Sequence, residues 1–375
     1  MGLVSCSVAF LSFSSIDCTI WLLLLLLDRM ISLSRFLLGS NRSSRQSSLF
    51  LIQSTFLVCT SLVKIIAVKS MATLSVPTDS GNAISLHYIH NEATPSSSPD
   101  LKMVGKDADE TPIILIHGLD SSSHTWRRTL DSLKEFPVYA LDCRGCGRTD
   151  LGDVEKFSPD ALVEDIRYFT DIKLKKKKAF VLVGHSMGGR LAMSFAAKYP
   201  ERVAALVVED MDIDRRTNNP FPSSDEVTIF KRDLQTKSIE EILDIFAKVG
   251  YPANMVQRWI NEGRIYMNDS DTSFWSDVNP AFRHLCYQHF CFTDVTLKAW
   301  ETISSDSSLS SFPCHVMVAD DDLTICDPKS IDKMKSIMGN DRLTVHTYPG
   351  ASHSIHNSAH TDFISDIKNI LQKIK

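Results

Sequence analysis

The sequence carries no excess of positive charge, which argues against a surface that binds nucleic acid. Its 40 lysines and arginines are outnumbered by 45 aspartates and glutamates, and the formal net charge is −5 at pH 7. The basic run at 173–178 is interrupted by Leu174 and is typical of a solvated loop. There is also no internal repeat, phosphate-binding glycine loop or zinc-type Cys/His spacing. We therefore expect no nucleic-acid partner, no cofactor and no metal.

Cysteine is too sparse and scattered for a disulfide framework. The chain has nine cysteines in 375 residues, whereas disulfide scaffolds are small and dense in cysteine. Cys143 and Cys146 match Cys-x-x-Cys, but no thioredoxin-like pattern surrounds them. We interpret them as buried or loop thiols.

The first 76 residues differ from the remainder in composition. Residues 8–27 are mostly apolar and end in a run of leucines, and 49–68 form a second, weaker apolar stretch. From position 29 to position 78 the sequence has six basic residues, many serines and no acidic residue. This composition is typical of an organelle transit peptide, so we expect delivery to a mitochondrion or plastid.

Other interpretations of this leader stay open. The leucine run could be a secretory signal or a membrane anchor that brings the N-terminus into contact with a membrane, although no basic residue precedes it. The start Met1-Gly2 resembles a myristoylation site, but Cys6 stands where Ser or Thr is usual. Alternatively, Met71 is the true start and the protein is cytoplasmic.

Residues 179–199 have the pattern of a strand that turns directly into a helix. The apolar residues 179–183 predict a buried parallel strand, and 191–199 predict a helix stopped by Pro200. The motif Gly-x-Ser-x-Gly lies between them, at 184–188. Its glycines remove side chains that would collide across the turn, and Ser186 is then raised to a helix N-terminus, where negative charge is favoured. We therefore predict that Ser186 is a nucleophile.

A second apolar strand, 112–116, is followed by a His-Gly-Leu turn. Its glycine lets the chain bend, so that the backbone N–H of Leu119 points toward Ser186. Together with the N–H of Met187, this group would form the two donors of an oxyanion hole. We interpret His117 as structural, holding the loop by hydrogen bonds.

Two later strands end in acidic and basic residues. The strand 315–319 runs into three aspartates at 320–322, and the strand 343–348 leads to Ser352-His353. His353 is a candidate for a base, and Asp322 is a candidate for its acidic partner. Alternatives remain for both: Asp320, Asp321, Asp210, Asp212 and Asp294 for the acid, and His346, His356 and His360 for the base.

These pieces together resemble the α/β-hydrolase superfamily over residues 80–375, and within it the lidded serine esterases of the abhydrolase-domain group. The resemblance is carried by the turn at 117–118, the loop at 142–147, the serine motif, the aspartates and Ser352-His353. Ala319 and Ser352 stand where the family usually has glycine.

Strands that alternate with helices predict a mostly parallel sheet covered by helices on both faces. The resemblance implies the α/β-hydrolase fold, with a helical lid inserted at 215–311. The hydrolase core would then comprise 80–214 and 312–375, after a leader or extension at 1–76.

The resemblance also implies acyl transfer to water, with Ser186 as nucleophile, His353 as base and Asp322 as the residue that orients the imidazole. The substrate would be a small-molecule ester or a lipid. The same triad can serve carbon–carbon bond hydrolysis or perhydrolysis, and the fold can serve as a non-catalytic ligand receptor. Epoxide hydrolysis is disfavoured because it needs a carboxylate at the position of Ser186. The sequence does not indicate an oligomeric state.

Overall fold

The computed structural model describes most of the chain that follows Ser70. The described residues are 71–77, 83–91, 111–174, 179–218, 227, 230–305, 312–320, 324–339 and 341–374. One compact unit contains residues 71–92 and 106–375. The targeting and membrane-contact interpretations concern the leader at 1–76, of which residues 1–70 lie outside the described residues. Among the residues that are described, no helix is long and apolar enough to cross a membrane.

An eight-stranded sheet forms the centre of this unit. Its strands are β1 (Met71–Pro77), β2 (Ala83–His90), β3 (Ile113–Ile116), β4 (Val138–Leu141), β5 (Phe180–His185), β6 (Val203–Glu209), β9 (Cys314–Asp320) and β10 (Leu343–Pro349), and β7 (Ile265–Met267) and β8 (Phe274–Ser276) form a separate hairpin. The order across the sheet is β1-β2-β4-β3-β5-β6-β9-β10. All neighbours from β4 to β10 in this order are parallel, and β1 and β2 pair antiparallel. The expected mostly parallel sheet is therefore confirmed.

Helices cover both faces of the sheet. They are α1 (Arg127–Ser132), α2 (Pro159–Lys173), α3 (Met187–Lys198), α4 (Ile239–Lys248), α5 (Ala253–Asn261), α6 (Pro280–Cys286), α7 (Val295–Ser305), α8 (Pro328–Met338), α9 (Ile355–Ser358) and α10 (His360–Lys373). Apolar residues of α2, α3, α7 and α8 join one buried cluster, and those of α1 and α10 join a second cluster on the other face. Because both faces are covered, β3, β4 and β5 are buried along their whole length.

The lid has a hydrophobic core of its own. Its buried cluster runs from Val227 to Val278 and contains Phe246 and Trp259, from α4 and α5. The hairpin of β7 and β8 belongs to the same region and was not expected in a purely helical lid.

The second half of the expected lid, from α6 to α7, instead packs on the main core. Phe282, Phe290 and Trp300 are buried in the cluster that contains α3, and Trp300 Nε1 donates to the carbonyl of Met334 at 3.1 Å. The boundaries 215–311 were therefore too wide for the lid. The reason is that the apolar residues of α7 bury against α3 rather than against the lid helices.

The first strand also begins earlier than expected, because residues 71–76 had been placed in the leader. Met71–Pro77 pairs with β2 along all seven residues. Val76 is fully buried in the main core cluster. Residues 71–76 are therefore part of the folded sheet.

We predict that β1 contributes measurably to stability. A chain shortened to begin at Met71 keeps the strand, whereas one that begins at Ala83 loses it and exposes the edge of β2. Loss of the buried Val76 side chain alone should cost about 1.5–3 kcal/mol. Thermal unfolding should show a lower midpoint for the shorter chain. Equal midpoints for the two chains would contradict the packing of β1.

Candidate active site

Ser186 lies at a strained corner between β5 and α3. Its backbone has φ 53° and ψ −122°, a region that non-glycine residues rarely adopt. Its N–H donates to the carbonyl of Glu209 at 2.9 Å, which fixes the corner to the next strand. A Cβ at Gly184 would lie 2.2 Å from the carbonyl oxygen of Gly188. Only glycine at 184 therefore permits the sharp turn that exposes the serine.

The loop after β3 lies directly against this corner. A Cβ at Gly118 would come within 2.9 Å of the Cβ of Ser186, so glycine is required for the close approach. Leu119 and Ser186 line the same cavity, and Met187 is the first residue of α3. The two predicted oxyanion donors are thus carried by the segments that flank Ser186.

His117 holds this loop in place. Its Nδ1 bonds to the carbonyl of Gly118 at 2.7 Å, and its Nε2 accepts the N–H of Cys143 at 3.0 Å. Since Nε2 accepts, the hydrogen of the neutral ring lies on Nδ1. Burial lowers the pKa of His117 and keeps it neutral. The structural interpretation of His117 is confirmed.

His353 follows β10 and is bonded to Asp210, not to the expected Asp322. Its Nδ1 lies 2.6 Å from Oδ2 of Asp210, and the Asp210 side chain is fully buried. Asp322 lies outside the described residues. The preference for Asp322 as the partner of His353 is therefore corrected to Asp210, which directly follows β6.

The loop after β9 explains this correction. Rather than supplying the acid, it supplies the donors that hold Asp210. Thr324 Oγ1 donates to Oδ1 at 2.7 Å, the N–H of Cys326 to Oδ1 at 3.3 Å, and the N–H of Ile325 to Oδ2 at 3.2 Å. Burial alone would raise the pKa of Asp210, but the hydrogen bonds from His353 and Thr324 outweigh it and hold the pKa below its ordinary value. Asp210 is therefore an anion at neutral pH.

A second carboxylate–histidine pair braces the turn that carries His353. The fully buried Glu209 accepts both the backbone N–H and Nδ1 of His356, at 2.9 and 2.8 Å. His185 donates from Nε2 to the carbonyl of His353 at 2.9 Å, and burial lowers the pKa of His185 to about 3. This turn is thus fixed to β5 and β6 at two points.

The other candidate acids and bases have separate structural partners. Asp212 pairs with Arg190 at 2.8 Å. His346 lies 3.2 Å from Asp366, and His360 bonds to Ser132 at 2.8 Å. His356 bonds to Glu209, as described above. Neither Asp212 nor any of these histidines lines the cavity that contains Ser186.

The cavity above Ser186 has a volume of about 820 Å³ and is lined on one side by the lid. Leu119, Ser186 and His353 line it from the sheet side, and α5 with the turn that follows it lines it from the lid side. Residues that carry charge are frequent in its wall: Asp120, Arg258, Glu262, Arg264 and Arg283.

The thiols of Cys143 and Cys146 do not line the cavity that contains Ser186. Cys143 and Cys146 are free and buried, as expected, and burial raises the pKa of both thiols. Within the described ranges, no group of three or more His, Cys, Asp or Glu side chains is arranged to hold a metal ion.

Sequence reasoning missed the supporting residues of the site. Thr324, Glu209 and His185 each bond to a candidate catalytic residue or to its turn. Thr324 and Glu209 stand in no motif, and His185 occupies a position that the Gly-x-Ser-x-Gly motif leaves open. The usable signal was that two acidic residues, Glu209 and Asp210, directly follow the apolar run 203–208. Acidic residues at such a position indicate a functional site.

Comparison with known proteins gives a consistent family. The family model described as the alpha/beta hydrolase fold matches residues 111–357. An Arabidopsis thaliana relative, the alpha/beta hydrolase domain-containing protein VTE7, is 39% identical over 179 residues, which is 46% of this chain and 52% of the relative. A Bos taurus (lyso)-N-acylphosphatidylethanolamine lipase is 30% identical over 122 residues, covering 31% and 33% of the two chains. The chain spans about half or less of the length of these curated relatives.

Solved structures agree at the level of the fold. The crystal structure of E-2-(acetamidomethylene)succinate hydrolase has a TM-score of 0.53 at 18% identity, covering 80% of this chain and 99% of that chain. A marine microorganism esterase has a TM-score of 0.51 at 21% identity, covering 70% and 95%. At these identities the likeness shows the fold alone.

We predict that Gly184→Ala prevents correct folding of the corner. The added Cβ would meet the backbone of Gly188, and backbone cannot move aside as a flexible side chain can. Gly263→Ala is the matched control: Gly263 has φ +69°, with nothing within 4 Å of an added Cβ, so strain of about 1–2 kcal/mol is its only cost. Soluble yield and the unfolding midpoint should fall far more for Gly184→Ala. Similar losses in the two variants would contradict the close packing of the corner.

Proposed function

The chain belongs to the α/β-hydrolase family, and we propose that it is a serine hydrolase that cleaves carboxylic esters through an acyl-enzyme. The observation that carries the proposal is the meeting of Ser186 and His353 in one cavity, with His353 hydrogen-bonded to the buried carboxylate of Asp210. These are the nucleophile, base and orienting acid that such a reaction needs.

The hydrogen bond to Asp210 sets the chemistry of His353. Because Nδ1 of the neutral ring donates to the carboxylate, Nε2 carries the lone pair that can accept a proton. Ser186 Oγ attacks the ester carbonyl and its proton passes to Nε2. The imidazolium so formed is stabilised by the anionic Asp210, which remains ionised.

The oxyanion donors are assigned to the N–H groups of Leu119 and Met187. Both belong to segments that flank Ser186, and fixed backbone donors stabilise the negative oxygen of the tetrahedral intermediate. When this intermediate collapses, the imidazolium returns its proton to the leaving alcohol. Water then attacks the acyl-enzyme, again with His353 as base, and releases the acid.

The cavity supports a small-molecule ester or a lipid ester as substrate. Its volume of about 820 Å³ lies within the range of about 300–1,000 Å³ that is usual for small-molecule sites. The name of the bovine relative, a lipase, is in line with ester cleavage. Carbon–carbon bond hydrolysis and ligand reception are the alternatives that use the same residues.

We predict that a fluorophosphonate labels Ser186. Ser186→Ala should abolish labelling and lower turnover of 4-nitrophenyl butyrate by about 10⁴-fold or more. The unfolding midpoint should change little, because only a corner hydroxyl is removed. Peptide mapping identifies the labelled residue. Label on another serine would overturn the nucleophile, and labelling of Ser186 without turnover of any ester would favour the carbon–carbon hydrolase or the receptor.

We predict that Asp210→Asn retains the fold but loses about 10⁴-fold in ester turnover, because the amide stabilises the wrong imidazole tautomer and carries no charge. Asp322→Asn is the matched control, and it should keep turnover within a few fold of the unchanged protein. Steady-state kinetics of both variants decides between the two carboxylates. A dead Asp322→Asn beside an active Asp210→Asn would reverse the assignment.

A further inference from the structure

One side of the lid helix α5 faces the cavity above Ser186. The cavity-lining residues of this helix and of the turn after it are Met255, Arg258, Trp259, Glu262 and Arg264. Arg258, Trp259 and Glu262 follow Met255 by three, four and seven residues, which is the spacing of residues on one face of a helix. Arg258 therefore belongs to a helix face that is directed at the cavity, and Arg264 reaches the same cavity from the turn after the helix.

The charged groups of the cavity wall do not balance. Arg258, Arg264 and Arg283 supply three positive charges, and Asp120 and Glu262 supply two negative charges. The wall thus has one positive charge in excess. One negative charge on a bound molecule would neutralise it.

The histidines of the wall do not alter this balance. Burial lowers the pKa of His124 to about 4 and that of His185 to about 3, so both are neutral at pH 7. His353 must be neutral to act as the base. Behind the wall, the buried Asp277 lies in the field of Arg232 and Arg148, and its charge also acts on Arg264. The excess of one positive charge is therefore that of the lining residues alone.

The excess charge is located at the lid rather than at the loop after β3, which carries Leu119 and Asp120. Arg283 forms an ion pair with Asp120 at the loop. At the lid, Arg258 and Arg264 share Glu262, with N–O distances of 3.8 and 3.4 Å. A single carboxylate at these distances neutralises only one of the two guanidinium groups.

Arg264 is also held in a defined orientation. Its guanidinium carbon lies 5.4 Å from the centre of the Trp259 ring, and its Nη1 donates to Oε2 of Glu262 at 3.4 Å. A planar guanidinium fixed in this way can form two parallel hydrogen bonds to a carboxylate.

We propose that Arg258 and Arg264 form a recognition site for a carboxylate on the substrate, so that the preferred esters are monoanions at neutral pH. This inference rests on the proposed ester hydrolysis. The carboxylate would bind at α5 while the ester carbonyl reaches Ser186. The Arg264 side chain is 23% exposed and that of Arg258 is 62% exposed, so solvent screens the interaction with Arg264 less than the interaction with Arg258.

The kinetic test compares two esters of equal length. Mono-4-nitrophenyl adipate carries a free carboxylate, and methyl 4-nitrophenyl adipate carries none. The unchanged protein should have the higher kcat/KM for the charged ester. In Arg258→Gln the ratio of the two values should fall about two- to fivefold, as expected for loss of a largely exposed charge pair. Glu262→Gln should raise the ratio, because it removes the competing carboxylate.

Lys248→Gln is the matched control. Lys248 is exposed on α4 and does not line the cavity, so loss of its charge should leave the ratio unchanged. If the ratio falls equally in Lys248→Gln and in Arg258→Gln, the preference for the charged ester comes from the overall charge of the lid. That result would overturn the carboxylate site. An unchanged ratio in Arg258→Gln would overturn it as well.

A binding measurement separates this inference from the proposed reaction. Calorimetry with Ser186→Ala compares hexanoate with hexanamide, and neither needs to be hydrolysed. Hexanoate should bind more tightly, and Arg258→Gln in the same background should remove the difference. If neither ester is turned over but hexanoate is still preferred, ester hydrolysis is wrong and the carboxylate site stands. Equal binding of hexanoate and hexanamide would overturn the carboxylate site itself.

Discussion

The 2.6 Å hydrogen bond between Asp210 and His353 is the interaction on which the geometry of the candidate site depends. It joins the ends of β6 and β10, which lie on either side of β9 in the sheet. Donors from the loop after β9 occupy the remaining acceptor positions of the carboxylate. Three strand ends thus converge on one side chain, and a buried anion is kept ionised by hydrogen bonds rather than by a neighbouring cation. An anion held in this way can stabilise an imidazolium without first reorganising.

Strained backbone conformations occur at the same carboxyl ends of the parallel strands. Asp120, Ser186 and Asp210 all have positive φ, at 50°, 53° and 43°, and each follows a parallel strand. Such conformations cost on the order of 1–3 kcal/mol each and persist only where the surroundings impose them. Here the surroundings are the fully buried strands β3 and β5, together with hydrogen bonds from the neighbouring strand ends. The stability of the sheet therefore maintains the positions of the functional side chains.

How far the sequence predicts this site depends on how local the signal is. Ser186 and the parallel sheet were predictable, because a strand, a glycine pair and a helix follow one another within about twenty residues. The acid was not, because its identity depends on which strand end approaches His353 in three dimensions. Glu209, Asp210 and Asp212 lie within four positions, yet they bind His356, His353 and Arg190 respectively. Sequence spacing does not distinguish among these three carboxylates. The strand β6 ends at Glu209 and the chain turns at Asp210, so neighbouring side chains point to different partners.

The extent of the lid was difficult to predict for a related reason. Helical periodicity identifies α4, α5 and α7 equally well, but it does not indicate whether a helix buries its apolar face in the lid or against α3. The hairpin of β7 and β8 has only three residues in each strand, too few to produce an alternating pattern. Each of these features depends on long-range packing.

Asp120 links the lid to the loop after β3 through a hydrogen bond and an ion pair. This residue follows Leu119 and accepts a hydrogen bond from Tyr251 of the lid at 2.8 Å, besides its ion pair with Arg283. In the proposed mechanism, this pairing would neutralise a carboxylate that lies next to the Leu119 N–H and would otherwise oppose the negative charge of the intermediate. It also ties the position of the Leu119 N–H to the packing of the lid cluster that contains Tyr251. The lid therefore does more than cover the cavity, because the geometry of a predicted oxyanion donor depends on its being in place.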